Sequence, residues 1–599
     1  MKHALTPIAA LLMSTALVSA QEVIDAGEGI VYVNLGPVAA GASGAAVTVL
    51  TEDDLAEGGT EPLTAKLAKV PGISIRTQGP VGTQAGITIR GVNQNNIAVR
   101  FDGIDISDPT GPQVAYNFGT LVSSSVGRID VLRGSESAIW GSEAIGGAVL
   151  MQSKRASGEG TEIEGGLEIG SYNTRSADLA IASRAGRLDL SFGVQRYQTD
   201  GFSAYDENLL TNAEPDGAEQ TRANLYVGYD VTDTTRIELS GFVADTFAEY
   251  DTSAGDNLVN TQDMRQRAGR LAFVQGFGGA ELTASFSRME LDRTEMSMFG
   301  PFTTEGARDE ADIRLAFSPT DTTDATIGAS RTTEAYADNF GSDYENSVDS
   351  LYAEVIQEFG AATVTGNLRR DEHSAYGTNW SGRLALAYDL GNGTTLRSAY
   401  GTGYRAPSNY ELYSPWEGDP TLQVEQSRSF DIGLEKDYGA GSVSVTAFAL
   451  EAEDVIAYTF ASGYFQAPGT VTRRGLEIAT DWSFANGTEL TGAYTYVTTG
   501  GSAVLDPSVG WSTAVPAHQL ALGVAHDYGK TTVRADMLAA LDRPGLDDYA
   551  VFNLGAEYEV NDTMTAYVRV ENVFDTEYQT VPGYGTSDRA AFFGFRVSN

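Results

Sequence analysis

The sequence predicts an all-β transmembrane barrel of about 22 antiparallel strands with an N-terminal α+β plug domain inside the lumen. Three observations predict it. First, apolar residues recur at every second position from Thr161 onward. Ile163, Gly165, Leu167 and Ile169 alternate with Glu162, Glu164, Gly166 and Glu168, and Leu188, Leu190, Phe192 and Val194 with Asp189, Ser191, Gly193 and Gln195. A strand with one apolar and one polar face suits a barrel bathed in lipid outside and water inside. Second, the connections alternate in length. Ala185-Gly186, Thr232–Thr234 and Gly276–Gly279 are tight, whereas Tyr197–Ala218, Phe247–Asp263 and Asp292–Gly306 are long. Barrels of the outer-membrane type place short turns on the periplasmic side and long loops outside. Third, roughly 440 residues at roughly 20 per strand and connection give about 22 strands, a number associated with a filled lumen. A soluble solenoid would need a fixed repeat, which the sequence lacks.

Composition narrows the function. Asp+Glu of 80 against Lys+Arg of 39 gives a formal net charge of -41, so nucleic acid, which needs a basic face, is not a partner. The absence of cysteine excludes a disulfide scaffold and thiolate chemistry. The 28 Tyr and 24 Phe suit the two aromatic girdles of a membrane barrel.

Taken in order, residues 1–20 read as a secretory signal peptide. Lys2 and His3 start it, Ile8 to Val18 form its apolar run, and small residues precede Gln21. That run is too short for a membrane span, and no longer one follows, so a membrane location requires a closed barrel. Residues 21–44 form a flexible, Gly- and Ala-rich periplasmic segment. Within it Glu28, Gly29, Ile30, Val31, Tyr32 and Val33 make a short β-prone run, able to add as a strand to a partner's sheet or to begin the next domain.

Residues 45–155 read as the plug domain and residues 156–599 as the barrel. Val47–Leu50 is a strand. Thr51 with Asp53-Asp54 starts a helix whose apolar positions are Leu55, Leu63, Leu67 and Val70, and Pro71-Gly72 stops it. Four strand candidates follow, Ile73–Thr77, Ile87–Arg90, Ala98–Phe101 and Arg128–Arg133. Two long turn-rich loops, Gln78–Gly86 and Ser107–Asn117, lie between them; loops of that length are commonly functional. The last strand runs from Arg589 to Asn599, with Ala591, Phe593, Phe595 and Val597 on one face.

These residues together resemble the TonB-dependent outer-membrane receptors over nearly the whole mature chain. Glu28–Val33 is similar to the family's TonB box. Pro71-Gly72, Ile89-Arg90-Gly91, Asp102-Gly103, Arg133-Gly134, Trp140-Gly141-Ser142 and Ala144–Val149 fall in the family's plug order. Tyr400–Pro407, Glu411-Leu412-Tyr413, Asp419–Leu422, Glu425-Gln426-Ser427 and Glu571–Tyr578 match barrel segments. Two departures stand out. Tyr32 replaces a usual valine in the box, and the chain ends in Asn599 where the family usually ends in an aromatic.

The resemblance implies energy-coupled import of a scarce, large nutrient across the outer membrane of a Gram-negative bacterium, by a non-enzymatic monomer. Its expected partners are the TonB protein of the inner-membrane energy-transducing complex, outer-membrane lipid and the small-molecule nutrient. Chain length and segment order place it closest to the vitamin B12 (cobalamin) receptors, with a ferric-siderophore receptor as the alternative. Haem is disfavoured because no histidine lies between Tyr404 and Leu422. A passive porin would need neither plug nor box, and an outer-membrane hydrolase would need a nucleophile set that is not recognisable here.

The two plug loops would touch the ligand, through Gln78, Thr83, Gln84, Gln113, Tyr116 and Asn117. Plug arginines Arg76, Arg90, Arg128 and Arg133 would face acidic lumen residues. No cofactor is required. Asp206, Glu214, Asp216, Asp251 and Asp263, in adjacent outer loops, offer hard oxygen ligands for Ca²⁺, and the resemblance implies calcium sites of the cobalamin receptors at the positions of Glu214, Asp216, Asp251 and Asp263.

Overall fold

The computed structural model of the chain describes residues 30–31, 35–36, 38–39, 42–209, 213–252, 255–414, 416–459, 461–502 and 515–599. The expected signal peptide lies outside the described residues. Twenty-two antiparallel strands close a barrel, from Gly160–Gly170 to Ala590–Ser598, and these first and last strands pair to seal it. Closure leaves no open sheet edge for lipid to meet. Asn599 completes the seam, since its side-chain oxygen accepts from Ile163 N–H at 2.7 Å.

The period-two pattern becomes two faces. Along Thr235–Glu249, Ile237, Leu239 and Val243 point outward while Ser240, Phe242 and Ala244 are buried inside. On the loop side of this apolar band, outward pairs such as Arg265 with Asp245 (2.6 Å) and Arg331 with Asp349 (2.9 Å) take over. Exposed pairs of this kind contribute only about 0–1 kcal/mol each. Their place is at the boundary where hydrocarbon gives way to headgroups.

One expected long loop is absent. Asp292–Gly306 forms a hairpin that extends the barrel wall, with Ser297 opposite Gly300 and Asp292 opposite Glu305. Pairing continues unbroken through Thr294, opposite Thr303, and Met296, opposite Pro301.

Inside the barrel lies a five-stranded sheet. Its order is Ala46–Leu50, Arg128–Arg133, Gly147–Gln152, Ile97–Phe101 and Ile104–Asp105, with the third and fourth strands parallel. A smaller sheet holds Ile73–Thr77, Ala85–Ile89 and Val92–Asn93. An Arg-Gly dipeptide turns a hairpin of the smaller sheet and an Asp-Gly dipeptide one of the larger. Arg90-Gly91 (φ 53° and 75°) and Asp102-Gly103 (49° and 80°) occupy the left-handed region at both central positions, as two-residue hairpins require.

The expected single helix is two. Thr51 caps Glu52–Ala56 in a capping box with Asp54, and Leu63–Leu67 follows. Gly58-Gly59 interrupts the helical pattern and Pro62 precedes the second helix, which explains the break. Leu55, Leu63, Leu67, Ile87, Ile89 and Phe101 anchor a core that reaches the barrel residues Phe242, Met264 and Leu291.

Gly147 is the tightest point of the central sheet. A Cβ there would meet Leu132 O at 2.0 Å, and its φ is 148°. Gly147→Ala is expected to destabilise the plug by about 1–3 kcal/mol, read as trypsin cleavage of the plug at a temperature where the parent resists. Equal protease resistance would show that the sheet absorbs the methyl.

Candidate functional site

The plug is held by buried ion pairs that cross from its turns to the lumen wall. Arg90, at the Arg-Gly turn, donates from Nε and Nη2 to Glu477 at 2.9 Å each and lies 3.7 Å from Asp431. Arg133 reaches the same Glu477 at 3.4 Å. Arg383 of the wall faces plug Glu136 at 3.3 Å, Arg308 faces Asp105 at 2.7 Å, and plug Arg100 faces Glu310 at 3.0 Å. Of the plug arginines expected to meet acidic lumen residues, Arg90 and Arg133 do so, while Arg128 pairs with Asp130 of the plug itself, at 2.8 Å. Glu136 and Glu143 sit deep in this interface, and burial pushes them up to about 7 and about 8.

The N-terminal lead meets the wall at Leu35. Ile30–Val31 pairs antiparallel with Val38–Ala39. The other TonB-box positions, Glu28, Gly29, Tyr32 and Val33, lie outside the described residues. Leu35 is tied to the barrel at both backbone groups. Its N–H donates to Glu354 at 3.3 Å, and its carbonyl accepts from Arg314 at 3.1 Å. Its side chain packs beside Ile139 and Tyr352, at the edge of a cavity of about 160 Å³ between plug and wall.

The expected ligand contacts divide. Gln84 is exposed and Gln78 half-buried at the turn. Thr83 is buried and donates to Pro80 O at 2.7 Å. Asn117 is engaged by the backbone, accepting from Gly119 N–H and Ala85 N–H at 2.9 Å each. Tyr116 is 2% exposed, edge-on to Phe118 in the plug core. In this structure Thr83 and Asn117 are engaged by the backbone of the plug loops and Tyr116 by the plug core. Gln113 turns toward the barrel and donates to Glu411 at 3.3 Å.

The outer loops bring acids together. Carboxylate oxygens of Glu214, Asp216 and Asp251 lie within 4.8 Å of one another. Asp216 also accepts from Ala204 N–H (2.6 Å), and Asp251 from Tyr205 and Asn257 N–H (2.8 and 2.7 Å). Among the described residues, Oε2 of Glu214 and Oδ1 of Asp256 are buried without a hydrogen-bond donor. Burial and the neighbouring carboxylates push Glu214 up to about 7 and Asp216 up to about 8. Two expected ligands stand apart. Asp263 lies on the strand Thr261–Gly276 with its side chain exposed outward, because Met264 and Gln266 take the inner face. Asp206 accepts from Gln579 and from Asn208.

A further buried group escaped the sequence reading. Arg405 donates to Glu411 at 2.8 and 3.1 Å and to Glu425 at 2.9 Å, and both acids are fully buried. It holds the helix Asn409–Tyr413, capped by Ser408, whose hydroxyl donates to plug Pro112 O at 2.8 Å. The motif Tyr404–Pro407 marked the place, but nothing in it signalled a contact to the plug.

Comparison with known proteins agrees with this architecture. The family model described as TonB dependent receptor-like, beta-barrel matches residues 94–573. A vitamin B12 transporter BtuB of Photobacterium profundum is 24% identical over 580 residues, covering 92% of this chain and 91% of that protein. Another, of Vibrio vulnificus, is 23% identical over 582 residues with coverages of 92% and 91%. Among solved structures, the FrpB iron transporter of Neisseria meningitidis has a TM-score of 0.80 at 15% identity, covering 93% of this chain and 100% of that one. The siderophore receptor PirA of Acinetobacter baumannii has 0.77 at 16% identity, with coverages of 92% and 98%.

Proposed function

The chain belongs to the TonB-dependent receptor family, and from that premise we propose that it imports cobalamin across the outer membrane. Members of the family are receptors and transporters of the Gram-negative outer membrane rather than enzymes, and TonB and a small-molecule nutrient are their partners. The observation that carries the cobalamin reading is the match, along 91% of its length, to a protein named as a vitamin B12 transporter. A ferric siderophore is the second reading, favoured by relatives of the same fold that are named siderophore receptors.

In this mechanism no substrate bond breaks. Ligand seats in the extracellular mouth, and the periplasmic lead offers Glu28–Val33 to TonB as an added strand. Force on the lead acts first on Leu35, which Glu354 and Arg314 hold to the wall. Beyond it stand the buried pairs of Arg90, Arg100 and Arg308, each of which water can replace once the interface opens.

Glu214, Asp216 and Asp251 would hold a Ca²⁺ ion, with Asp256 beside Glu214. The residues fit, because three clustered carboxylates and two buried oxygens without hydrogen-bond donors favour a hard cation. Bound there, the ion would neutralise the cluster and tie the loops at 200–217 and 250–260 together. At a hundredfold excess over Kd, calcium should add about 2.7 kcal/mol to stability, lost in EDTA and in Asp216→Asn. Thermal melts of the purified receptor that ignore EDTA would rule the site out. Retention of cyanocobalamin and of ferric chelates by the same preparation tests the substrate.

A further inference from the structure

The cavity of about 160 Å³ beside Leu35 is lined by five guanidinium groups, Arg100 and Arg155 from the plug and Arg270, Arg314 and Arg369 from the wall. Three carboxylates share the lining, and each is engaged. Asp102 accepts from Arg155 at 2.8 Å, Glu310 from Arg100 at 3.0 Å, and Asp312 from the Tyr352 hydroxyl. Outside the lining, Asp371 meets Arg369 at 2.8 Å and Glu238 lies 3.8 Å from Arg270. Arg314 remains. Its Nη1 donates to the Leu35 carbonyl at 3.1 Å, and among the described residues it forms no ion pair with a carboxylate.

What this lining lacks is acceptors. Four of its polar atoms are buried with no hydrogen-bond partner among the described residues: Nε of Arg100, Arg155 and Arg314, and the indole Nε1 of Trp140. All four are N–H donors, and no acceptor on the lining is in the same position. Three belong to the plug, where Trp140 ends the helix Ser137–Trp140, and Arg314 belongs to the barrel strand Gly300–Thr320. Rings hold two of them in place, since Arg155 lies 3.7 Å over Tyr226 and Arg100 5.3 Å over Trp140. A buried N–H without an acceptor is costly, more so on a charged group. Water placed here brings donors that need acceptors of their own. An oxyanion brings acceptors alone, in the geometry that guanidinium groups bind best. The volume is below the roughly 300–1,000 Å³ of a drug-sized ligand, and it has room for a few water molecules or one tetrahedral ion.

We propose that this cavity binds a free tetrahedral oxyanion of the phosphate type, which bridges the N–H groups of Arg100, Trp140 and Arg155 in the plug to Arg314 of the wall. The site goes beyond the import reading and is independent of which nutrient is carried. Arg314 also holds Leu35, so a bound ion adds to the anchorage of the plug at the residue where the lead meets the wall.

Equilibrium dialysis of the purified full-length receptor, first stripped into phosphate- and sulfate-free buffer, against labelled inorganic phosphate tests it. Saturable retention by the parent is expected. Trp140→Phe removes the indole N–H and keeps a ring, and should weaken retention about 2–10-fold; Arg314→Gln should weaken it about 10–100-fold. Arg474→Gln, which removes an exposed guanidinium on the strand Thr470–Ser483, should bind as the parent does. Trypsin reads the bridge in the same samples: phosphate should slow cleavage of the plug in the parent and not in Arg314→Gln. Should Arg314→Gln fail to assemble, Trp140→Phe decides alone. No saturable retention by the parent, as a cavity filled by water would give, would overturn the inference. So would parental retention by Trp140→Phe and Arg314→Gln, as an adventitious ion elsewhere on the protein would give.

Discussion

Deleting Glu28–Val33 is expected to abolish accumulation of the nutrient in cells while leaving its affinity for the purified receptor unchanged. The physical reason is that binding and transport use opposite ends of the molecule. The mouth is assembled from outer loops and the helix Asn409–Tyr413, and no bond described there involves the lead. On the proposed mechanism the lead joins TonB's sheet through main-chain hydrogen bonds. Ile30–Val31 pairs on one edge with Val38–Ala39, and the added strand would use main-chain groups of the same segment. Val31→Pro should reproduce the deletion, because proline removes a backbone donor that any added strand needs. Whole-cell uptake of labelled ligand, beside equilibrium binding, measures both quantities. Uptake at the parental rate by either variant would remove energy coupling through this segment.

Breaking the buried cluster at Glu477 carries the second large effect. Glu477 forms ion pairs with both Arg90 and Arg133, and all three side chains are 7% exposed or less. Glu477→Ala leaves two guanidinium groups in a closed interface with Asp431 alone beside Arg90. Removing one partner of a buried pair typically costs about 3–5 kcal/mol. The cost falls on plug docking rather than on the wall, because strand pairing of Thr470–Ser483 with its neighbours uses the backbone. The variant should therefore keep a heat-resistant barrel yet open a constitutive conductance in planar bilayers and sensitise cells to large antibiotics. Joint replacement of Arg90, Arg133 and Glu477 by methionine should recover part of the loss, since no unpaired charge is then buried. A silent bilayer with Glu477→Ala would mean that the remaining plug contacts suffice.

How much of this was legible in sequence depends on the range of the interaction. Leu188, Leu190, Phe192 and Val194 declare a lipid face without reference to any other part of the chain, because alternation is a property of one strand. Arg90-Gly91 and Asp102-Gly103 declare turns because few residues tolerate the left-handed region. Thr51 declares a helix start through its own capping box. The Asp292–Gly306 hairpin was misread as a loop because its sequence lacks the period-two apolar pattern, and its strand pairing rests on the backbone. The burial of Tyr116 against Phe118 was not legible, because an aromatic in a turn-rich loop has the same local context whether it faces outward or the plug core.

The sequence by itself determined a closed barrel of about 22 strands, the plug within it and the family to which it belongs. These follow from period, turn chemistry and motif order, all written within a few tens of residues. Only the tertiary structure decided that Glu477 meets Arg90 across 387 positions, that Glu214, Asp216 and Asp251 converge while Asp263 turns outward, and that Gln113 bonds to Glu411. Alternation assigns a side chain to the lumen, but the register between neighbouring strands and the stagger with which the barrel closes decide which plug residue it faces there.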